Sequence, residues 1–136
     1  MIVDTSALMA ISKREEGHLE LRDAIFIESG LLPAPVYVED RRVVSRSPKL
    51  RESEAYALVR EFLLGPLEWL AFTPDHADAA ALANQVYGIG NVEGGTLNLL
   101  NLMVYACAKV ERRPILCTGR DFAATDAAIH IASRVG

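Results

Sequence analysis

The sequence predicts one α/β domain over residues 1–136, a three-layer α/β/α sandwich with a central, mainly parallel sheet. Short apolar segments alternate along the chain with longer segments whose apolar residues recur at helical spacing. This alternation is typical of parallel strands joined by helices that cover both faces of the sheet. With 136 residues, the chain is long enough for one core but does not divide comfortably into two.

The first half of the chain alternates extended and helical segments. The predicted elements are, in order, a strand at 1–3, a helix over 7–13 ("ALMAISK"), a helix over 18–29 closed by Gly30, a short strand or extended link ("GLLPAP"), a helix over 36–45 and a helix over 51–64 ended by Gly65 and Pro66. Asp4 and the two residues after it supply N-cap chemistry, so a carboxylate lies at the carboxyl end of the first strand. Val36, Glu39 and Val43 share one stripe, which predicts that Glu39 faces the core.

The second half continues the alternation. Its predicted elements are a strand over 67–72 ("LEWLAF"), a helix begun by Thr73 and Pro74, a flexible loop over 88–95, an apolar helix over 96–109 with Asn98 as N-cap, a buried strand over 114–118 ("PILCT") and a final edge strand over 128–132. Asp121 lies just past the buried strand. Asn101 is an isolated polar residue in the first turns of the apolar helix, and it is either a core polar residue or part of a functional site.

Composition narrows the class of protein. The net charge of −4 argues against a protein that coats nucleic acid through bulk electrostatics, so any nucleic-acid contact must be local. No apolar run approaches the length of about 20 residues that a membrane helix needs, so we expect a cytoplasmic protein without membrane contact. Cys107 and Cys117 have no partner at metal-ligand spacing and are predicted to be buried thiols.

Acidic residues collect where a parallel sheet binds its ligands. Asp4 and Asp121 each follow a strand, and ligands of open parallel sheets bind beyond the carboxyl ends of the strands. Glu39 adds a third carboxylate if its helix packs beside the first strand, and Asp126 adds a fourth from the tail. Clustered carboxylates repel one another unless a cation lies among them, and Mg²⁺ or Mn²⁺ prefers such oxygen ligands. The implied chemistry is metal-assisted hydrolysis of a phosphodiester.

Each acid also has a simpler interpretation. Asp4 alone is equally well explained as a helix cap, and Asp121 alone as a turn or cap residue. Glu39 alone fits an exposed ion pair with Arg42 or Arg46. Only their joint placement at one sheet edge favours a functional site.

Several segments together resemble one protein family. "MIVDTSALMAI" at the start, Glu39 in a helix after a short strand, "LN" before the apolar helix ending in "YACAK", and "PILCTGRDFAATD" near the end occur in the order and spacing of PIN-domain proteins of the VapC toxin type. The resemblance runs through almost the whole chain.

The resemblance implies a fold, an activity and partners. It implies a PIN-like α/β/α sandwich that forms a homodimer, acts as a Mg²⁺- or Mn²⁺-dependent endoribonuclease and is held inactive by a small VapB-like antitoxin. DNA would be bound only indirectly, through the antitoxin. The acidic positions of the family fall on Asp4, Glu39 and Asp121, as catalytic residues and metal ligands. Auxiliary positions fall on Thr5, Ser6, Thr118 and Asp126.

One acidic position of the family is not acidic here. The third acid falls on Asn101, and Leu100 stands where such chains commonly have glycine. An asparagine keeps one carbonyl oxygen but removes a full negative charge. Three hypotheses follow: an active ribonuclease in which Asn101 is a neutral ligand, a weakened or inactive PIN-like domain that binds antitoxin or RNA, and an unrelated small α/β binding domain.

The basic residues and apolar faces suggest where partners bind. Arg41, Arg42 and Arg46 lie on the helix of Glu39, either as a solvated face or as contacts to RNA phosphates. The aliphatic faces of residues 7–11, 19–27 and 55–63 offer apolar groups to an antitoxin helix or to a second protomer.

Overall fold

The fold is given by a computed structural model that describes residues 1–92 and 94–136. The loop predicted over 88–95 includes Glu93, which lies outside the described residues. The elements are, in chain order, β1 (Ile2–Val3), α1 (Thr5–Lys13), α2 (His18–Glu28), β2 (Leu31–Pro33), α3 (Ala34–Ser45), α4 (Pro48–Arg51), α5 (Glu54–Leu64), β3 (Glu68–Leu70), α6 (Pro74–Tyr87), α7 (Leu99–Glu111), β4 (Ile115–Leu116) and a 3₁₀ turn (Phe122–Ala124).

The four strands form one parallel sheet in the order β3-β2-β1-β4. Ile2 lies beside Leu31 of β2 on one side and beside Ile115 of β4 on the other. The chain therefore moves outward from β1 in both directions, and the strand order reverses between β1 and β4. This reversal is where an open parallel sheet opens a crevice at the carboxyl ends of its strands.

Helices cover the sheet on both sides and bury its apolar residues. Helix α1 packs against α2 and α5, α6 packs against α7, and α3 contacts both α1 and α7. Ile2, Val3, Leu32, Ile115 and Leu116 from the strands are nearly or fully buried. The predicted three-layer fold with a parallel sheet is confirmed, and Cys107 and Cys117 are buried free thiols as predicted.

Local capping signals place several helix starts where the sequence predicts them. Asp4 caps α1, and its side chain accepts a hydrogen bond from the Ser6 backbone N–H. Asn98 caps α7, with Oδ1 2.9 Å from the backbone nitrogen of Asn101. These caps satisfy amide groups that have no partner inside the helix, so short polar side chains mark the boundaries.

Other boundaries differ from the prediction. Helix α2 ends with Ser29, not Gly30, in the left-handed conformation. Gly30 is instead needed for close packing, because a Cβ there would lie 2.8 Å from Val3 Cγ2. The helix predicted from residue 51 begins at Glu54, since the Ser53 hydroxyl accepts from the Tyr56 amide. Pro48 begins the short helix α4 ahead of it.

The predicted edge strand over 128–132 is reduced to a single bridge between Ile129 and Ile115. Backbone hydrogen bonds still join the tail to β4: the Ile115 N–H donates to the Ala128 carbonyl and the His130 N–H donates to the Ile115 carbonyl, both at 2.9 Å. The Ser133 hydroxyl donates to the Ile115 carbonyl and accepts from the Cys117 amide, both at 3.1 Å. Backbone and side-chain bonds together therefore hold the tail beside β4, as isolated bridges and not as a regular strand. Among the described residues, no helix is both long and apolar enough to cross a membrane.

Candidate active site

A polar cleft opens at the carboxyl ends of β1 and β4, where the strand order reverses. Its volume is about 260 Å³. We call it the acidic cleft; its lining residues are Asp4, Thr5, Ser6, Met9, Glu39, Asn98, Asn101, Thr118, Asp121 and Phe122. The structure thus brings together all four predicted catalytic residues and three of the four predicted auxiliary residues.

Asp4 lies at the bottom of the acidic cleft. The Ser6 hydroxyl donates to Asp4 Oδ2 at 2.5 Å, and the Ser6 backbone N–H donates to the same oxygen at 3.0 Å. The Thr118 backbone N–H in turn donates to the Ser6 hydroxyl at 3.0 Å. This chain of hydrogen bonds joins the ends of β1 and β4 and fixes the Asp4 carboxylate at the point where the two strands meet.

The second oxygen of Asp4 has a different environment. Asp4 is 5% exposed, and its Oδ1 has no hydrogen-bond partner among the residues that the structure describes. The hydroxyl of Thr5 beside it is also buried and unbonded within this part of the chain. Burial raises the pKa of Asp4, and the charge of Glu39 raises it further, while the hydrogen bonds from Ser6 lower it. An unpaired buried carboxylate oxygen is costly, and a cation would remove that cost.

Glu39 reaches the acidic cleft from α3, although it does not face the core as predicted. Glu39 is half-buried, whereas its neighbour Asp40 is fully buried. Helix α3 begins at Ala34, and the buried stripe runs through Val36 and Asp40 at i and i+4. Glu39 is thereby turned toward the cleft, and no salt bridge to Arg42 or Arg46 is found in the described part of the chain.

A buried ion pair holds the helix that carries Glu39. Asp40 contacts the guanidinium of Arg60 on α5, and both side chains are almost completely buried. Arg60 also donates to the Ser12 hydroxyl on α1 at 3.1 Å. Burial lowers the pKa of Arg60 to about 10, so the guanidinium stays charged at neutral pH. This pair was missed in the sequence, because nothing in either helix indicates that two charges twenty positions apart face each other.

Asn101 and Asp121 form the opposite wall of the acidic cleft. The Asn101 side-chain amide donates to Asp121 Oδ2 at 3.2 Å. One oxygen of Asp121 is thus partly occupied by a neutral donor. The predicted meeting of Asn101 with the acid that follows β4 is seen in the geometry, while its catalytic role stays a prediction.

Asp126 lies outside the acidic cleft. Its Oδ1 accepts from the Tyr105 hydroxyl at 2.6 Å, and its Oδ2 lies 3.0 Å from Lys109 Nζ. The hydrogen bond from Tyr105 lowers the pKa of Asp126, and Lys109 adds to this effect. These contacts tie the tail to α7, and the expected auxiliary role of Asp126 stays a prediction.

The three predicted RNA-binding arginines are exposed and also lie outside the lining of the acidic cleft. Arg41 stands with its guanidinium carbon 6.0 Å from the centroid of the Tyr37 ring. Arg41 and Tyr37 instead line a different cleft, on the other side of α3.

The acidic cleft offers oxygen atoms, which are the ligands that a hard divalent cation prefers. Within residues 1–92 and 94–136, no three His, Cys, Asp or Glu side chains cluster closely enough to form a metal centre alone. The Asn101 carboxamide also lines the acidic cleft, next to Asp121. Oxygen atoms of Asp4, Glu39, Asp121 and Asn101 still make a donor set that Mg²⁺ or Mn²⁺ prefers, and Asp4 Oδ1 is unpaired there. The residues present therefore fit such an ion.

Comparison with known proteins agrees with this arrangement. The PIN domain family matches residues 1–128. A Mycobacterium bovis protein named VapC ribonuclease Mb2780c is 35% identical over 129 residues, which cover 93% of this chain and 95% of that protein.

Two solved structures share the fold. VapC20 of Mycobacterium tuberculosis, a toxin that cleaves the sarcin-ricin loop, gives a TM-score of 0.67 at 17% identity and covers 93% of this chain and 95% of that one. A toxin–antitoxin complex from Klebsiella pneumoniae gives a TM-score of 0.63 at 16% identity over 95% of both chains. The family resemblance seen in the sequence is confirmed: the chain belongs to the PIN domain family and has relatives named VapC ribonucleases.

Proposed function

We propose that this chain is the toxin of a type II toxin–antitoxin module, a divalent-metal-dependent endoribonuclease that hydrolyses RNA phosphodiester bonds. One observation carries the proposal: a buried carboxylate, Asp4, has an oxygen without a partner among the described residues and lines a cleft together with Glu39, Asp121 and Asn101. The names of the relatives support the same activity. We further propose that residues 1–136 act as one PIN-like domain in the cytoplasm, where its RNA substrate is found.

In this proposal, Asp4, Glu39 and Asp121 hold Mg²⁺ or Mn²⁺, and Asn101 contributes as a neutral residue. The ion would act as a Lewis acid toward the phosphate and toward water. Ser6 and Thr118 orient Asp4 through hydrogen bonds that engage Oδ2 and leave Oδ1 without a partner among the described residues. Asn101 orients Asp121 in the same way. Holding these groups in place before substrate arrives reduces the reorganisation that the reaction requires.

The partner surface proposed for the antitoxin is an apolar groove between α2 and α5, here called the α2–α5 groove. Its volume is about 540 Å³, and its lining is Ile11, Arg14, His18, Leu19, Arg22, Phe26, Leu58, Val59, Phe62 and Leu63. Phe62 is 74% exposed, with its ring centroid 5.8 Å from that of Phe26. Exposed aromatic residues beside arginines suit an amphipathic antitoxin segment that carries acidic residues. DNA would be contacted through the antitoxin, and the toxin itself is proposed to be a homodimer.

A second candidate function follows from Asn101. Asn101 lies in the acidic cleft and donates a hydrogen bond to Asp121. Because its side chain carries no negative charge, it attracts a cation less than a carboxylate would. The chain would then be a weakened or inactive PIN domain that binds antitoxin or RNA. Titration of Mn²⁺ into antitoxin-free protein with RNA separates the two candidates. Cleavage by the wild type supports the first, and cleavage only after Asn101→Asp supports the second.

Induced expression of the chain alone in a bacterial host tests the toxin proposal. We expect growth arrest together with new RNA 5′ ends in wild-type cells, and neither in cells that express Asp4→Asn. The control is Asp78→Asn, an exposed carboxylate on α6, which should arrest growth like the wild type. Unimpaired growth with soluble wild-type protein, or equal arrest by Asp4→Asn, contradicts the proposal.

A further inference from the structure

The single tryptophan of the chain, Trp69, lies exposed at the edge of the sheet. It belongs to β3, the outermost strand, and pairs in register with Leu32 of β2. Trp69 is 58% exposed, although tryptophan side chains are on average highly buried. Its surroundings are therefore of interest as a binding surface.

Trp69 is part of an aromatic and basic cleft on the far side of α3. The Tyr37 ring lies 4.6 Å from the Trp69 ring, centroid to centroid, at an interplanar angle of 53°. Arg41 stands over the Tyr37 ring from one turn further along α3. We call this the aromatic cleft; its volume is about 830 Å³, and Arg51 and Glu61 are the exposed charged residues that line it besides Arg41.

Helix geometry relates the aromatic cleft to the acidic cleft. Tyr37 and Arg41 are four residues apart on α3 and share one face, whereas Glu39 lies midway between them and points to the opposite side. One helix, roughly 10 Å across, separates the two clefts. A stacked strand advances by about 3.4 Å per nucleotide, so about three nucleotides span that distance.

We propose that the aromatic cleft binds an unstacked base of single-stranded RNA, with Trp69 and Tyr37 as the stacking surface and Arg41 on a neighbouring phosphate. The inference rests on the proposed ribonuclease function and extends it to substrate positioning. Aromatic rings flanked by arginines are the usual means of holding single strands without reading their sequence. The arginines at the cleft favour a polyanion over an acid-poor protein surface.

The experiment uses Trp69 as its own reporter, because the chain holds no other tryptophan. The Asp4→Asn variant, which should bind RNA without cleaving it, is titrated with a labelled single-stranded oligoribonucleotide and with the same sequence as a duplex. RNA anisotropy measures binding, and tryptophan fluorescence measures contact at the aromatic cleft. We expect quenching of Trp69 with the same midpoint as the anisotropy change for the single strand, and weaker binding for the duplex.

Variants extend the test. Trp69→Ala should weaken single-strand binding about tenfold and Trp69→Phe much less, because stacking on one ring is worth about that factor. Arg41→Ala should weaken binding and flatten its salt dependence. Leu82→Ala, an exposed apolar residue on α6, is the matched control and should leave binding unchanged. Thermal melting checks that each variant folds. If Trp69→Ala does not fold, the comparison is made with Trp69→Phe alone.

The possible outcomes separate this inference from the proposed function. Wild-type cleavage of RNA without any change in Trp69 fluorescence, or equal binding by the folded Trp69 variants, overturns the inference alone. Trp69-dependent RNA binding without cleavage supports the inference and contradicts the ribonuclease proposal. A fluorescence shift that depends on protein concentration, without RNA, shows that the cleft binds a second copy of the chain and overturns the inference.

Discussion

The side-chain amide nitrogen of Asn101 lies 3.2 Å from Asp121 Oδ2, so a neutral donor stands in a cleft that also contains the carboxylates of Asp4, Glu39 and Asp121. The hydrogen bond lets the two side chains lie together without a cation between them. Two carboxylates at this distance would repel each other. The metal-free form of this protein is therefore expected to be more stable than one with an acid at position 101.

The variant Asn101→Asp tests directly how a charge at position 101 changes stability without metal and affinity for a cation. Without metal, the variant should melt about 4 °C below the wild type, which corresponds to roughly 1 kcal/mol for a domain of this size. With Mn²⁺, the added charge should raise cation affinity at least about tenfold. Melting temperatures with and without Mn²⁺, together with electron paramagnetic resonance of free Mn²⁺, measure both effects. Unchanged Mn²⁺ affinity would mean that Asn101 does not border the cation.

The buried ion pair between Asp40 and Arg60 is predicted to be essential for stability. Asp40→Asn leaves the Arg60 charge buried and unpaired, so the free energy of unfolding should fall by about 3 to 5 kcal/mol. The double variant Asp40→Leu, Arg60→Met should recover much of that loss. Urea denaturation gives the values, and Asp23→Asn in the exposed pair with Arg22 serves as a control that should change little. A small effect of Asp40→Asn would contradict the assignment.

Asp126 provides a prediction on pH. Its pKa is lowered in the folded protein, chiefly by the Tyr105 hydrogen bond, so its stabilising effect is present above its ordinary value of 3.8 and is lost as pH falls through the folded pKa. Asp126→Asn should therefore lower the free energy of unfolding at pH 7 by about 0.5 kcal/mol, since the side chain is largely exposed. The difference should vanish in the acid range below the ordinary value. Chemical denaturation of both proteins from pH 7 downward measures it.

RNA cleavage by Asp126→Asn tests whether Asp126 takes part in the reaction at the acidic cleft. Because Asp126 lies outside the acidic cleft, Asp126→Asn should keep the RNA cleavage rate within about twofold of the wild type, a barrier change of about 0.4 kcal/mol. A loss of a hundredfold or more would instead support the auxiliary role in cleavage that the family resemblance implies for Asp126.

Phe62→Ser should separate neutralisation from catalysis. Loss of a largely exposed aromatic anchor in the α2–α5 groove is expected to weaken antitoxin binding by about tenfold or more, with RNA cleavage unchanged. The measurement is growth of cells that express each toxin variant together with its cognate antitoxin. Leu82→Ser changes an equally exposed residue on α6 and should still be neutralised. Full neutralisation of Phe62→Ser would place the antitoxin elsewhere.

Local signals made much of the fold readable from the sequence. The caps at Asp4 and Asn98 are recognisable because a short polar side chain bonds an amide two or three residues away. The meeting of Asp4 with Asp121 follows from a general property of parallel sheets, whose strands end at one edge. These features depend on neighbouring residues or on topology alone.

Contacts between distant helices could not be predicted in the same way. The orientation of α3 depends on Arg60, which arrives from α5, and a helical pattern with Val36 on its buried face allows either Glu39 or Asp40 beside it. The tail pairs with β4 only on either side of a turn, and the Ser133 hydrogen bonds at that turn are side-chain contacts that no alternation of apolar residues reveals. The placement of Asp126 beside Tyr105 depends on the path of the tail after β4.

The central claim, that Asp4 makes the acidic cleft a metal-dependent ribonuclease site, is tested most directly by RNA cleavage in purified protein. End-labelled RNA is incubated with wild type, Asp4→Asn and Asp78→Asn, each with Mn²⁺ and with a chelator in excess. Asparagine at position 4 keeps the cap on α1 but removes the charge, so the fold should be preserved. We predict Mn²⁺-dependent cleavage by wild type and Asp78→Asn, and a loss of at least about a thousandfold, or 4 kcal/mol, in Asp4→Asn. Cleavage that persists in the chelator or in Asp4→Asn would contradict the claim.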